Sequence, residues 1–209
     1  ISKSAISLQP ALSAPSDFES IAPKAAGEAE HAVSGVFPSL LGRRISNAIV
    51  HCHSSAVVTA EHIVLPDYYY ENRKRISPLS QNIKVANDKC GIIDTRVKES
   101  LPVGISMFGN GSFNYYHWLI EILPAAFLSQ RLGDEFQSYP FLVPEEYEKY
   151  SSFRDSLEVF RAGRSVISMR SDRQYHIDDL VIIDSPVHGP FNLPAGIWPE
   201  VNDYSQNTS

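Results

Sequence analysis

The stretch "LPVGISMFGNGSFNYYHWLIEILP", residues 101–124, holds the transition on which the fold turns. An apolar run, "LPVGISMF", ends at Gly-Asn-Gly and passes into a segment whose apolar residues recur at helical spacing, which predicts a strand, a tight loop and a helix. On a helix beginning near Ser112, residues Asn114, His117 and Glu121 fall at i, i+3 and i+7 and project from one side. Tyr115, Trp118, Leu119, Ile122 and Ala126 take the opposite side. Pro124 interrupts the helix, because it has no N–H and frees the carbonyl of Ile120 beside Glu121.

Downstream the alternation continues. "YPFLVP" (139–144) reads as a short buried strand, "EEYEKYSSFRDSLEVFRA" (145–162) as an amphipathic helix closed by Gly163, and "SVISM" (165–169) and "DDLVIID" (178–184) as further strands. Strands alternating with helices predict a parallel sheet covered on both faces, the Rossmann-like plan. Ligands in that plan sit outside the C-terminal strand ends, where "GNGS" lies. About three core strands are fewer than the ~5 of a doubly wound sheet, so either the chain is part of something larger or the upstream meander completes the sheet. "ISNAIVHCHSSAVVTAEHIVLPD" (45–67) is rich in β-branched residues and reads as two or three short strands in a meander. The Ala-, Ser- and Pro-rich opening reads as a leader or extended arm. The expected organisation is a flexible leader or arm over 1–42, a β-rich lead-in over 43–98 and a Rossmann-like α/β domain over 99–209.

With 209 residues, 43% of them hydrophobic, the chain can bury a core without staples. Cys52 and Cys90 lie far apart with no CxxC partner, which suggests neither a disulfide framework nor a zinc ribbon. The net charge of −6 comes without a basic block, since "RR" (43–44) and "RKR" (73–75) are short and separate, which disfavours nucleic-acid binding. No apolar run approaches the ~20 residues that cross a bilayer.

Three sites compete. "GNGSFN" has the form G-x-G-x-x-N, a phosphate cradle without its third glycine, and a tight turn with Ser112 as N-cap is the better account. "HCH" puts His51 and His53 on one strand face with His62 near, but no second ligand cluster answers it, so surface or edge-strand histidines are the better account and no metal is expected. There is no G-x-S-x-G elbow for a serine nucleophile. The stripe of Asn114, His117 and Glu121 remains. It is crowded by Tyr115, Tyr116 and Trp118, the mixture that sugar sites use, because pyranose C–H faces stack on rings while hydroxyls need fixed polar partners.

"NYYHWLIEILP", preceded by a short strand and a small-residue turn, resembles the N-terminal hallmark of the family 61 glycosyltransferases, the capsular polysaccharide biosynthesis type. The β-rich lead-in before it, and "YPFLVP" and "DDLVIID" after it, extend the resemblance over roughly residues 45–185. It implies the N-terminal, acceptor-side domain of a GT-B enzyme that inverts a sugar as it passes from a nucleotide sugar to a saccharide or other hydroxyl acceptor. The second, nucleotide-binding domain is expected to be absent from these 209 residues. Asn114, His117, Trp118 and Glu121 match the hallmark. His117 and Glu121 are the expected catalytic pair, either being the base, and Asn114, Tyr116 and Trp118, with Asn110 in the preceding loop, the expected substrate-binding residues. No cofactor is expected beyond the nucleotide-sugar co-substrate. A homodimer or a partner chain covering the missing domain is left open, as is peripheral membrane association. The expected location is cytoplasmic, or the Golgi or endoplasmic reticulum lumen in a eukaryote. The alternative is a non-catalytic carbohydrate-binding or assembly module.

Overall fold

The computed structural model describes residues 40–60, 98–109 and 111–185, together with the backbone of strand segments 6–8, 16–21, 32–37, 63–64, 83–86 and 91–93. In chain order the strands are β1 (Ile6–Leu8), β2 (Ser16–Ile21), β3 (Ala32–Phe37), β4 (Gly42–Val50), β5 (Val57–Val58), β6 (Ile63–Val64), β7 (Ile83–Ala86), β8 (Gly91–Ile93), β9 (Lys98–Ser106), β10 (Phe141–Pro144), β11 (Val166–Met169) and β12 (Gln174–Ile183). The helices are α1 (Tyr115–His117), a π-helical turn (Trp118–Ile122), α2 (Leu123–Leu128), two short 3-10 turns (Ser129–Arg131 and Asp134–Phe136), α3 (Glu146–Lys149) and α4 (Ser151–Glu158).

The protein is a mixed α/β structure. Its main sheet runs β11-β10-β9-β12-β4-β5-β6, with β1 also paired to β4. β9 is parallel to both β10 and β12, β10 is parallel to β11, and β4 runs antiparallel to β12 along its length. The β-rich stretch and the α/β stretch therefore share one sheet. Within the stretch expected to be a leader or arm, β1 pairs with β4, and β2 and β3 form an antiparallel hairpin. Its Ala- and Ser-rich composition hides the short alternations "DFESI" and "AVSGVF". β7 and β8 form a second small hairpin.

The ladders on both sides of β12 skip one row, in which Pro102, Asp178 and Asn47 lie side by side. Proline brings no N–H to a ladder, and Asn47 sits at φ 54°, a region that Asn tolerates better than most residues. At this row the apolar phase slips by one residue in all three strands. In β12, Tyr175 and Ile177 face the same cluster as Leu180 and Ile182; in β4, Ile45 shares it with Ala48 and Val50; in β9, Leu101 faces it whereas Val103 faces the other cluster. The sheet is thus creased, and Leu142 and Met169 of its parallel part share one cluster with Tyr175 and Val50.

This crease corrects the expectation of helices on both faces. Among the described residues the helices contribute to one cluster only, in which Trp118, Ile122, Ala126, Phe153 and Leu157 pack on Ile105, Phe141, Val143 and Val181. The other cluster is built, among the described residues, from strand and loop side chains. Gly104 permits the close approach this requires, because a Cβ there would lie 2.5 Å from the Leu142 side chain.

The helix expected over 145–162 is broken at Tyr150, whose φ −123°, ψ 128° is extended. Tyr-Ser-Ser is weak helix-forming sequence. Arg154 Nη1 donates to the carbonyls of Tyr147 (3.2 Å) and Glu148 (2.8 Å) that the break leaves open. Glu145 and Glu146 directly follow β10, and Glu146 reaches His53 in the loop after β4.

Candidate functional site

The site grows out of the turn that follows β9. Beyond the buried Met107 and Phe108, the chain reverses through two hydrogen-bonded turns, Ser112 N–H to Gly109 carbonyl (3.1 Å) and Asn114 N–H to Gly111 carbonyl (2.7 Å). Gly111 adopts φ 77°, where a side chain is disfavoured. Ser112 is buried and its Oγ donates to the Cys52 carbonyl at 2.7 Å, so it anchors the turn and does not cap the helix. The N-cap is Asn114: its backbone is extended and its Oδ1 accepts from the Tyr116 N–H at 2.9 Å.

Three residues of α-helix then widen into the π turn, in which the Leu123 N–H reaches the Trp118 carbonyl, an i→i+5 bond. Pro124 stands in the first turn of α2. In a continuous α-helix its ring would collide with the Ile120 carbonyl four residues back, and the wider turn accommodates it. His117 and Glu121 remain joined across this segment, with Nδ1 2.8 Å from Glu121 Oε1 and side chains 38% and 34% exposed. A carboxylate only accepts, so Nδ1 carries a proton, and in the neutral ring the lone pair is on Nε2. Among the described residues Nε2 has no hydrogen-bond partner. One face of the imidazole lies on Gly111, where a Cβ would stand 2.9 Å from ring carbons Cγ and Cδ2.

The rings around this pair differ from those expected. Trp118 is fully buried, packs at a tilt against Phe153 with centroids 5.0 Å apart and donates its indole N–H to Ser156 Oγ at 2.9 Å, so it supports the helix from the core and touches no ligand surface. Tyr115 leans on Phe153 at 5.5 Å. Tyr116 stands 64% exposed with its ring perpendicular to His117, 5.6 Å between centroids. Phe113, which sequence reasoning passed over, is 54% exposed on the same turn. Asn114 is exposed but its side-chain oxygen is committed to the cap. Asn110 lies outside the described residues. The observed wall is therefore Phe113, Gly111, Tyr116, His117 and Glu121.

A second His–Glu pair touches the same turn. His53 Nε2 lies 3.0 Å from Glu146 Oε2, with side chains only 9% and 10% exposed, and the His53 ring meets Phe113 edge-on at 5.4 Å. Burial works against ionisation of Glu146, but hydrogen bonds from His53 and from the backbone outweigh it and hold the carboxyl below its ordinary range. The "HCH" histidines are not surface residues. His51 is buried, its Nδ1 accepts from the His53 backbone N–H (3.2 Å), and Nε2 therefore donates to the Ser171 carbonyl (2.8 Å). Both ring nitrogens of His51 are committed to protein groups. His62, the third histidine of that reading, lies outside the described residues. Between the two, Cys52 is a buried free thiol pushed up to about 12 by burial and by the nearby Glu146 and Glu145.

Among the described residues no helix is long and apolar enough to cross a membrane. Comparison with family models, curated proteins and solved structures returns no match.

Proposed function

We propose that this chain is the acceptor-side half of an inverting glycosyltransferase that uses a nucleotide sugar, with His117 as general base and Glu121 as its orienting carboxylate. The observation that carries the reading is the 2.8 Å contact of His117 Nδ1 with Glu121. It directs a ring proton to Nδ1, so that in the neutral imidazole Nε2 is the nitrogen with the lone pair, the one with which a base can take the proton of an acceptor hydroxyl within ~3 Å. The exposed rings of Phe113 and Tyr116 beside it suit the C–H faces of a pyranose. The strand order β11-β10-β9-β12 supports the finer reading of the fold, since numbered along the chain it is the 3-2-1-4 order of doubly wound sheets, and the site lies beyond the C-terminal end of β9. The nucleotide would be held by a second domain of GT-B type.

The test is a panel of nucleotide sugars and free oligosaccharides, read first by thermal shift and then by transfer. Saturation at 100 times Kd stabilises by about 2.7 kcal/mol, a shift of several degrees. Where transfer occurs, Glu121→Gln and His117→Gln each lower turnover by ~10²-fold or more. Near-normal turnover in either variant removes that residue from the mechanism. Saccharide binding without consumption of any nucleotide sugar, when a second, nucleotide-binding domain is also supplied, replaces the reading with a carbohydrate-binding module.

A further inference from the structure

The histidines of "HCH" are absorbed neither by a metal site nor by the base assignment, yet both are held by protein groups. The loop after β4 is tied to three other loops. His51 bridges to Ser171 in the loop after β11, His53 bridges to Glu146 after β10, and the Cys52 carbonyl takes the Ser112 hydroxyl from the turn after β9. The turn is thus gripped at two successive residues, Ser112 by the Cys52 carbonyl and Phe113 by the His53 ring. One residue earlier, Gly111 forms the floor under His117.

We propose that His53 is a positioning residue of this site: fixed by Glu146, it seats the Phe113 ring and, through the 111–114 turn, sets the orientation of His117. Because the Glu146 carboxylate only accepts, His53 carries its proton on Nε2. That bond fixes the plane of the ring, and the ring edge fixes where Phe113 stands. Phe113 has more than half its surface in water, and among the described residues His53 is the ring that it meets. A turn that loses this contact keeps the Ser112 anchor but can rotate about it, and His117 then loses its floor and the alignment of Nδ1 on Glu121. The same pair therefore sets both the aromatic wall and the direction of the base. The inference rests on the proposed role of His117 for its catalytic meaning, but its test reads the state of His117 without any substrate.

The experiment is long-range 15N–1H correlation of the imidazoles together with amide hydrogen exchange on the whole 209-residue chain, in wild type and in His53→Ala, Glu146→Ala and Glu146→Gln. Wild type shows His53 as the Nε2–H tautomer and His117 as the Nδ1–H tautomer. In His53→Ala, the amides of Ser112 and Asn114 lose about tenfold or more of their protection relative to Met107 in the core, as expected when local opening governs exchange, and His117 becomes a mixture of tautomers. Glu146→Ala does the same, whereas Glu146→Gln, which still offers an acceptor to Nε2–H, restores the wild-type pattern. The proposal is overturned if His117 and the turn amides in His53→Ala match wild type. It is equally overturned if Ser112, Asn114 and Met107 lose protection alike, which is plain loss of stability. Should His53→Ala not fold, the two Glu146 variants decide, and identical spectra for them overturn it. Failure of the transferase reading would leave each of these outcomes unchanged.

Discussion

Two glycines with nearly the same backbone allow the packing at the site to be separated from backbone strain. Gly111 and Gly163 have φ of 77° and 78°, yet a Cβ at Gly111 stands 2.9 Å from the His117 ring, whereas one at Gly163 meets nothing within 4 Å. Alanine at either position bears the left-handed penalty of about 1–2 kcal/mol. At Gly111 it must also displace the imidazole by several tenths of an ångström, an overpacking cost of about 1–3 kcal/mol. Gly163→Ala is therefore expected to lower unfolding stability by about 1–2 kcal/mol and Gly111→Ala by about 2–5 kcal/mol, measured by urea denaturation with the m-value checked for constancy. The excess belongs to the ring, so it should largely vanish when Gly111→Ala is made in a His117→Ala background, a double-mutant cycle with coupling of about 1 kcal/mol or more. The imidazole displaced in Gly111→Ala should also lose its hydrogen bond to Glu121, visible as loss of the single His117 tautomer. Equal losses for the two glycines, or an excess that survives removal of the ring, would refute the placement of His117 on Gly111.

Further outcomes follow from the core. Trp118→Ala should cost about 3–5 kcal/mol in unfolding stability, as for a fully buried ring, and a Trp118→Phe variant should leave saccharide affinity unchanged in a binding titration, because the indole faces Phe153 and Ser156 and not the wall. Arg164 is buried, with burial lowering its pKa, and its guanidinium serves the carbonyls of Phe136, Gln137, Tyr139 and Ser129; Arg164→Met should cost about 2–4 kcal/mol by stranding those acceptors. Asp179 couples stability to pH: burial opposes its ionisation, but hydrogen bonds from Arg44 and Tyr139 outweigh it and hold the carboxyl below its ordinary range. A depressed carboxylate contributes stability that is present above its unfolded pKa of about 3.9 and lost as pH falls through the folded value, so acid unfolding should begin below about pH 4 and shift to lower pH sensitivity in Asp179→Asn. Tyr139 carries the opposite sign, since burial and then Asp179 push its phenol up to about 12. Its contribution is complete below the unfolded pKa of about 10 and lost between there and the folded value, and Tyr139→Phe should remove that alkaline limb from a pH series of urea midpoints.

The order of elements was legible because it is written in local periodicity. "LPVGISMF", "YPFLVP", "SVISM" and "DDLVIID" are apolar runs bounded by turn residues, and each lies on a strand. The His117–Glu121 pair was legible for the same reason, since i and i+4 on a helix are neighbours whatever the helix packs against. What local pattern could not supply was the partner of each face. Trp118 reads as a ring beside a polar stripe, and only the arrival of Phe153 and Ser156 from α4 makes it core. Phe113 reads as a loop residue, and His53 and Glu146 are separated by 93 positions, so their junction with it has no sequence signature. The crease at Pro102, Asp178 and Asn47 is likewise invisible in any one strand, because each shows only a broken alternation. Sequence alone determined which apolar runs after residue 100 became strands and that His117 and Glu121 would be neighbours on one helix; the tertiary structure decided which rings face water and which histidines meet carboxylates, because burial and long-range pairing are properties of surfaces brought together and not of spacing along the chain.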